Sequence, residues 1–252
     1  MKVKSFQFIS IISNYKFCLL VFIFFSTSAF SQNIICTYSV KVDSTYLIEK
    51  NFDVKEIYYN YTNYIDDIKY KLKVSNLESV YEIDKEFTKK HAEKNVKFAQ
   101  NVGGRGVYYS NFKDTVFLNQ KDFFGDIYLI KQEMPVWNLT SDTKKIDGVE
   151  CFKAYSVKKV DNGKRQFDKV TTVWYAPSFP YSFGPMNSNG LPGLVFELQE
   201  NEVILYLTQI EFFDTEFKID VPEKGIKMTE SQYQRYLIEN GENLLKNKFI
   251  KN

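Results

Sequence analysis

The stretch Asn189-Gly190-Leu191-Pro192-Gly193-Leu194-Val195-Phe196-Glu197 (NGLPGLVFE) sets two glycines and a proline directly against the start of an apolar run. Glycine and proline punctuate local structure, while the run that follows has strand composition, so the junction reads as a sharp entry into a β-strand. Within it, Leu191–Leu194 is expected to form a type II turn. Proline suits the second position of that turn, and glycine supplies the positive φ of the third. No charged residue occurs between Lys169 and Glu197, a gap of 27 positions in a chain that is 25% charged. Four of the six prolines (Pro177, Pro180, Pro185 and Pro192) fall inside this gap, with Gly184, Gly190 and Gly193. Each proline locks φ and removes an amide donor, so the segment loses little entropy on ordering and cannot extend a ladder. Trp174, Tyr175, Phe179, Tyr181, Phe183, Leu191 and Leu194 supply its apolar surface. Such a surface either plugs the mouth of a curved sheet or lines a binding groove, and packing is the commoner use of buried rings.

The flanking chain alternates. Cys36, Tyr38, Val40 and Val42 interleave with Ile35, Thr37, Ser39 and Lys41, and Tyr70, Leu72 and Val74 interleave with Lys69, Lys71 and Lys73. That period of two belongs to strands with one wet face. Further strands are expected near 78–84, 106–112, 114–119, 126–132, 150–160, 168–176, 194–200 and 203–213. Asn162-Gly163 and Glu200-Asn201-Glu202 supply hairpin turns. Thr229-Glu230-Ser231-Gln232 has capping-box spacing, and Tyr233, Tyr236 and Leu237 then share one helical face, with Gly241 interrupting or ending the helix. The fold class is mainly β: an antiparallel, strongly curved sheet or incomplete barrel, closed at one end by the proline-glycine segment, with the C-terminal helix packed outside. A two-sheet β-sandwich is the alternative.

The first 31 residues have a basic start, an apolar core Phe17–Phe25 and small residues before Ser31, the pattern of a cleaved signal peptide whose core is too short to span a bilayer. Residues 32–252 are then a single β-rich domain in an exported, periplasmic or outer-membrane-associated protein. Neither Cys18 nor Cys36 follows the small residues a lipid anchor requires. Cleavage removes Lys2, Lys4 and Lys16 and no acid, turning 33 basic against 31 acidic residues into 30 against 31. Such balance gives no attraction for nucleic acid. An oxidising compartment permits a Cys36–Cys151 disulfide, and two buried free thiols are the alternative.

Chemistry is sparse in this sequence. His91 is the single histidine and sits in the charged stretch 86–100, a short helix or surface excursion. A Walker loop needs a Lys-Ser/Thr pair opening a helix, which the GLPG turn lacks. Val102-Gly103-Gly104-Arg105-Gly106 reads as a flexible hairpin end, with an anion nest as the alternative. A hydrolase would need paired carboxylates, such as Glu197 and Glu211, though acids on strands usually lie on solvated faces. No catalytic residue, metal ligand set or cofactor motif is assigned.

Trp174-Tyr175-Ala176-Pro177, then Pro180, Gly184-Pro185 and Gly190-Leu191-Pro192-Gly193-Leu194, resemble the signature of the GLPGLI family of secreted Bacteroidetes proteins. The resemblance runs from 134 to 200. It takes in Trp137-Asn138-Leu139 and Lys145-Ile146-Asp147-Gly148-Val149-Glu150-Cys151-Phe152-Lys153-Ala154, with Val149 where tyrosine is common and Val195 where the family continues Ile-Leu. It implies an envelope location, no established activity, and an accessory role beside TonB-dependent outer-membrane transporters. The shared residues set shape, so no catalytic role carries over. The function expected is a non-catalytic envelope protein binding an apolar ligand or an outer-membrane partner. A periplasmic lipid or lipoprotein carrier and a carboxylate hydrolase are the alternatives.

Overall fold

A computed structural model describes residues 33–43, 65, 67–86, 101–123 and 125–250, with side chains to position 240. Residues 1–31, where a signal peptide is expected, and the stretch carrying His91 lie outside the described residues. At the centre is β1 (Asn33–Val42), whose Ile34, Cys36, Tyr38 and Val40 are all fully buried. On one side follow β2 (Lys69–Ser75), β3 (Glu78–Ile83), β4 (Val107–Asn111), β5 (Val116–Phe123) and β6 (Asp126–Lys131), each antiparallel to the last. On the other side β1 pairs with the distant β11 (Val203–Phe213). Beyond it lie β10 (Leu194–Glu200), β9 (Gln166–Ala176), β8 (Val149–Asp161) and β7 (Asn138–Ile146). The short β12 (Ile226–Thr229) joins the outside of β6 in parallel and leads into α1 (Glu230–Ile250). All twelve strands form one open sheet with β12 and β7 at its edges, so the two-sheet sandwich is not adopted.

Directly paired residues share a face, so the registers trace the core across the sheet. Cys36 faces Leu72, Leu72 faces Tyr81, Tyr81 faces Tyr108, Tyr108 faces Asn119 and Asn119 faces Ile130. On this inner face Tyr70 stacks on Tyr81 at 5.5 Å between centroids, and Tyr38 meets Tyr81 edge-on at 6.3 Å. The opposite face of β3–β5 is covered by the chain after β11, where Ile219 and Phe217 pack on Val80 and Tyr109.

Helix α1 starts at the expected capping box: Thr229 N–H donates to Gln232 Oε1 at 2.8 Å, and Gln232 N–H donates to Thr229 Oγ1 at 3.3 Å. Tyr233, Tyr236 and Leu237 pack on Tyr128 and Ile130 of β6. These β6 residues belong to the inner face, so α1 covers the inside of the sheet rather than its outside, contrary to expectation. Gly163, at the β8–β9 turn, also reaches α1, where a Cβ on it would stand 2.9 Å from Ile238 Cγ2. In the strand order β6 and β9 are eight steps apart, roughly 38 Å across a flat sheet, yet one helix about 10–12 Å wide touches both. The sheet therefore curls into an incomplete barrel, and α1 lies in the gap.

Two local expectations are corrected and one is met. Gly193 has φ 159°, nearly extended, so Leu191–Leu194 is not a type II turn. The Leu194–Ala176 pairing brings Gly193 against the neighbouring strand, where a Cβ would strike the Ala176 carbonyl. Gly193 is needed for space, not for a turn. Asn162-Gly163 does lie in the β8–β9 hairpin turn, with Gly163 at φ 79° and Asn162 N–H donating to the Arg165 carbonyl at 3.3 Å, inside a four-residue connection from Asp161 to Gln166. Gly241 neither ends nor interrupts α1, which continues to Ile250.

Candidate functional site

The β9–β10 connection, residues 177–193, fills the inside of the barrel. Phe183, Gly184, Pro185, Ser188, Asn189, Leu191 and Gly193 are buried, while Pro177, Pro180, Gly190 and Pro192 are exposed at its rim. Its anchors span the sheet. Asn189 Nδ2 donates to Ser110 Oγ of β4 at 2.8 Å, Tyr38 OH of β1 donates to the Val195 carbonyl at 2.6 Å, and Phe183 packs on Phe112 at 4.9 Å. Trp137 Nε1 donates to the Asn189 carbonyl at 2.8 Å, which ties the start of β7 to the same segment. These hydrogen bonds and ring contacts hold the buried part of the segment against the inner face of the sheet, so the segment is an internal plug. Leu191 and Leu194 contribute to the core and are closed to any ligand.

Trp174 and Tyr175 separate, as neighbours on a strand must. Tyr175 points inward, 5% exposed, against Phe152. Trp174 points to the other face, beneath the ammonium of Lys144 at 4.4 Å from the ring centroid and near that of Lys153 at 6.0 Å. Lys144 Nζ also pairs with Glu197 Oε1 at 2.7 Å, and Lys153 Nζ with Asp142 at 3.2 Å. The motif stretch Lys145–Ala154 and the WYAP stretch thus meet across β7, β8, β9 and β10 as a cation–aromatic ladder. Further along this face Val157 and Val170 sit directly opposite each other, each 46% exposed, with Tyr155 beside them at 37%. The result is an apolar patch, continuous with Trp174 and bordered by lysines.

Cys36 and Cys151 are both buried free thiols, and the disulfide is not formed. They lie on β1 and β8, with β11, β10 and β9 between them. Burial raises both thiols above the ordinary range, Cys151 to about 11 even with Lys144 nearby pulling the other way. Neither is a ready thiolate. Glu197 and Glu211 are not brought together either. Glu197 faces Tyr206 and is held by Lys144, whereas Glu211 is five residues further along β11, roughly 17 Å away, opposite Ile35. The loop Val102–Gly106 is pinned rather than loose, because Gly103 N–H donates to Tyr70 OH at 2.9 Å and its carbonyl accepts from Tyr81 OH at 2.7 Å.

No family model and no curated protein matches the chain. Two structures of PNGF-II, in P21 and C2 space groups, are similar to it at 16% and 15% identity, with TM-scores of 0.49 and 0.46. They cover 81% and 83% of this chain, which spans only 33% of theirs. At those values the likeness transfers neither a fold nor an activity.

Proposed function

We propose that this is a non-catalytic, exported protein of the GLPGLI type that docks an outer-membrane partner, such as a TonB-dependent transporter, through the outer face of β8 and β9. The observation that carries the reading is the exposed Tyr155–Val157–Val170 patch beside Trp174, on strands otherwise faced with charge. Apolar side chains aligned on one face and rimmed by lysines are how protein-binding surfaces are built. The filled interior favours this over an apolar ligand or a lipid carrier, both of which require an empty apolar cavity. The plug then serves as the rigid backing of the binding face.

A photo-crosslinking residue at Val157, activated in the intact native envelope, tests the reading. The expected result is one discrete adduct with an outer-membrane protein, abolished by Val170→Asp. Equal adducts with and without Val170→Asp, or none at all, would overturn it. Trp174→Ala is expected to weaken the adduct without unfolding the protein. Tyr175→Ala is unsuitable for this purpose, because it opens the core.

A further inference from the structure

Inside the curl, between the plug and α1, cations converge from three directions. Lys121 of β5 lies under α1 with Nζ 4.3 Å from the Tyr233 ring centroid, and among the described residues no carboxylate comes within ion-pair distance of it. The pinned glycine loop crosses directly over it. Gly106, at φ 90°, approaches so closely that a Cβ would stand 2.8 Å from Lys121 Cβ, and this places Arg105 alongside. Across the gap, Lys158 of β8 pairs with Glu230 of α1, and Lys169 of β9 pairs with Glu200 at 2.8 Å. Arg105, Lys158 and Lys169 all act electrostatically on Lys121, against Glu230 alone on the acidic side. Asp122, loosely 3.9 Å from Arg105, is 63% exposed.

Asp122, Glu230 and Glu200 each offset one of these cations, so one positive charge stays in excess, and it belongs to Lys121, which among the described residues has no carboxylate partner. From this geometry we propose that Lys121, Arg105, Lys158 and Lys169 form a binding site for a small, doubly charged oxyanion of the phosphate or sulfate class, free or carried on a lipid headgroup. Lys121 and Arg105 are its primary donors. Lys158 and Lys169 can turn from their glutamates toward the anion. The site is independent of the docking face, which lies on the other side of β8 and β9.

Desolvation, with the neighbouring cations adding to it, lowers Lys121 to about 8, while Glu230 acts in the opposite direction. A bound dianion favours the charged amine, so binding takes up a proton and weakens as pH rises through that value. Sulfate is the appropriate probe, because it keeps one charge state across the range. Titration calorimetry of the purified protein with sodium sulfate, against chloride at matched ionic strength, is expected to show a single site. Its affinity should fall about tenfold between about pH 7 and about pH 9. Lys121→Met is expected to lose most of the binding, and Lys121→Arg to keep it without the pH dependence. Vesicles of phosphatidic acid in phosphatidylcholine identify the source: sulfate-competable vesicle binding points to a headgroup, and sulfate binding alone to a free anion. A sulfate response no different from chloride, or Lys121→Met binding as tightly as the native protein, overturns the proposal. If Lys121→Met fails to fold, the pH dependence of the native protein and the Lys121→Arg variant decide the matter.

Discussion

Gly193 shows how a single hydrogen atom in place of a side chain sets the fit between two strands. Its φ of 159° already lies where residues with side chains are rare, and the space beside it is closed as well. The obstacle is the Ala176 carbonyl and the Pro177 nitrogen. Gly193→Ala is therefore expected to push β10 off β9 and to cost about 2 kcal/mol, read as a lowered urea midpoint. The two thiols offer a second check. Native protein is expected to leave Cys36 and Cys151 unreactive toward a thiol reagent near pH 8, and both should titrate once urea is added. Lys121 offers a third. Its folded value of about 8 lies below its ordinary 10.5, so the unfolded chain binds more protons between those values and stability rises with pH there. The penalty is fully present below about pH 8. In sulfate-free buffer Lys121→Met is thus expected to gain on the order of 1–2 kcal/mol near neutral pH, after losing the Tyr233 contact, with the gain fading above about pH 10.

Among the elements, legibility followed local pattern. Strands with clean alternation, such as β1 and β2, and the capping box of α1 were readable because the burial that selects them recurs every second residue or every turn. β7 was not, because Asn138–Ile146 is a polar edge strand with little to bury. Its hairpin turn is nonetheless encoded locally, in Asp147-Gly148 at φ 48° and 81°. β12 was unreadable for a different reason: four residues pair in parallel with β6, about a hundred positions earlier, and nothing local encodes that. The cation cluster is not legible in the sequence, because Arg105, Lys121, Lys158 and Lys169 are brought together only by the curl of the sheet. For α1, Thr229→Ala removes one half of a reciprocal cap and is expected to cost about 1 kcal/mol. Hydrogen exchange in the first turn of α1 should rise accordingly, with β1 amides unaffected.

At the scale of the molecule, the sheet is open but its edges are guarded. β12 is short, and β7 carries Lys144 and Lys145 and a register shift between Leu139 and Thr143, features that discourage a second chain from pairing there. The plug and α1 fill the inside, so the exposed apolar patch is left on the outside of β8 and β9.

Placing β1 in the middle has a price in time. Its second neighbour, β11, is made about 160 residues later, so a chain emerging amino end first carries its central strand with one side unsatisfied until nearly all of it has appeared. Contacts this remote in sequence slow folding into the range of milliseconds to seconds. A chain truncated after Glu200 is expected to show no cooperative unfolding transition by circular dichroism, whereas one ending at Asn240 should retain it. Assembly of this protein is thus withheld until its last strands arrive, which leaves the half-made chain dependent on whatever shields it in transit.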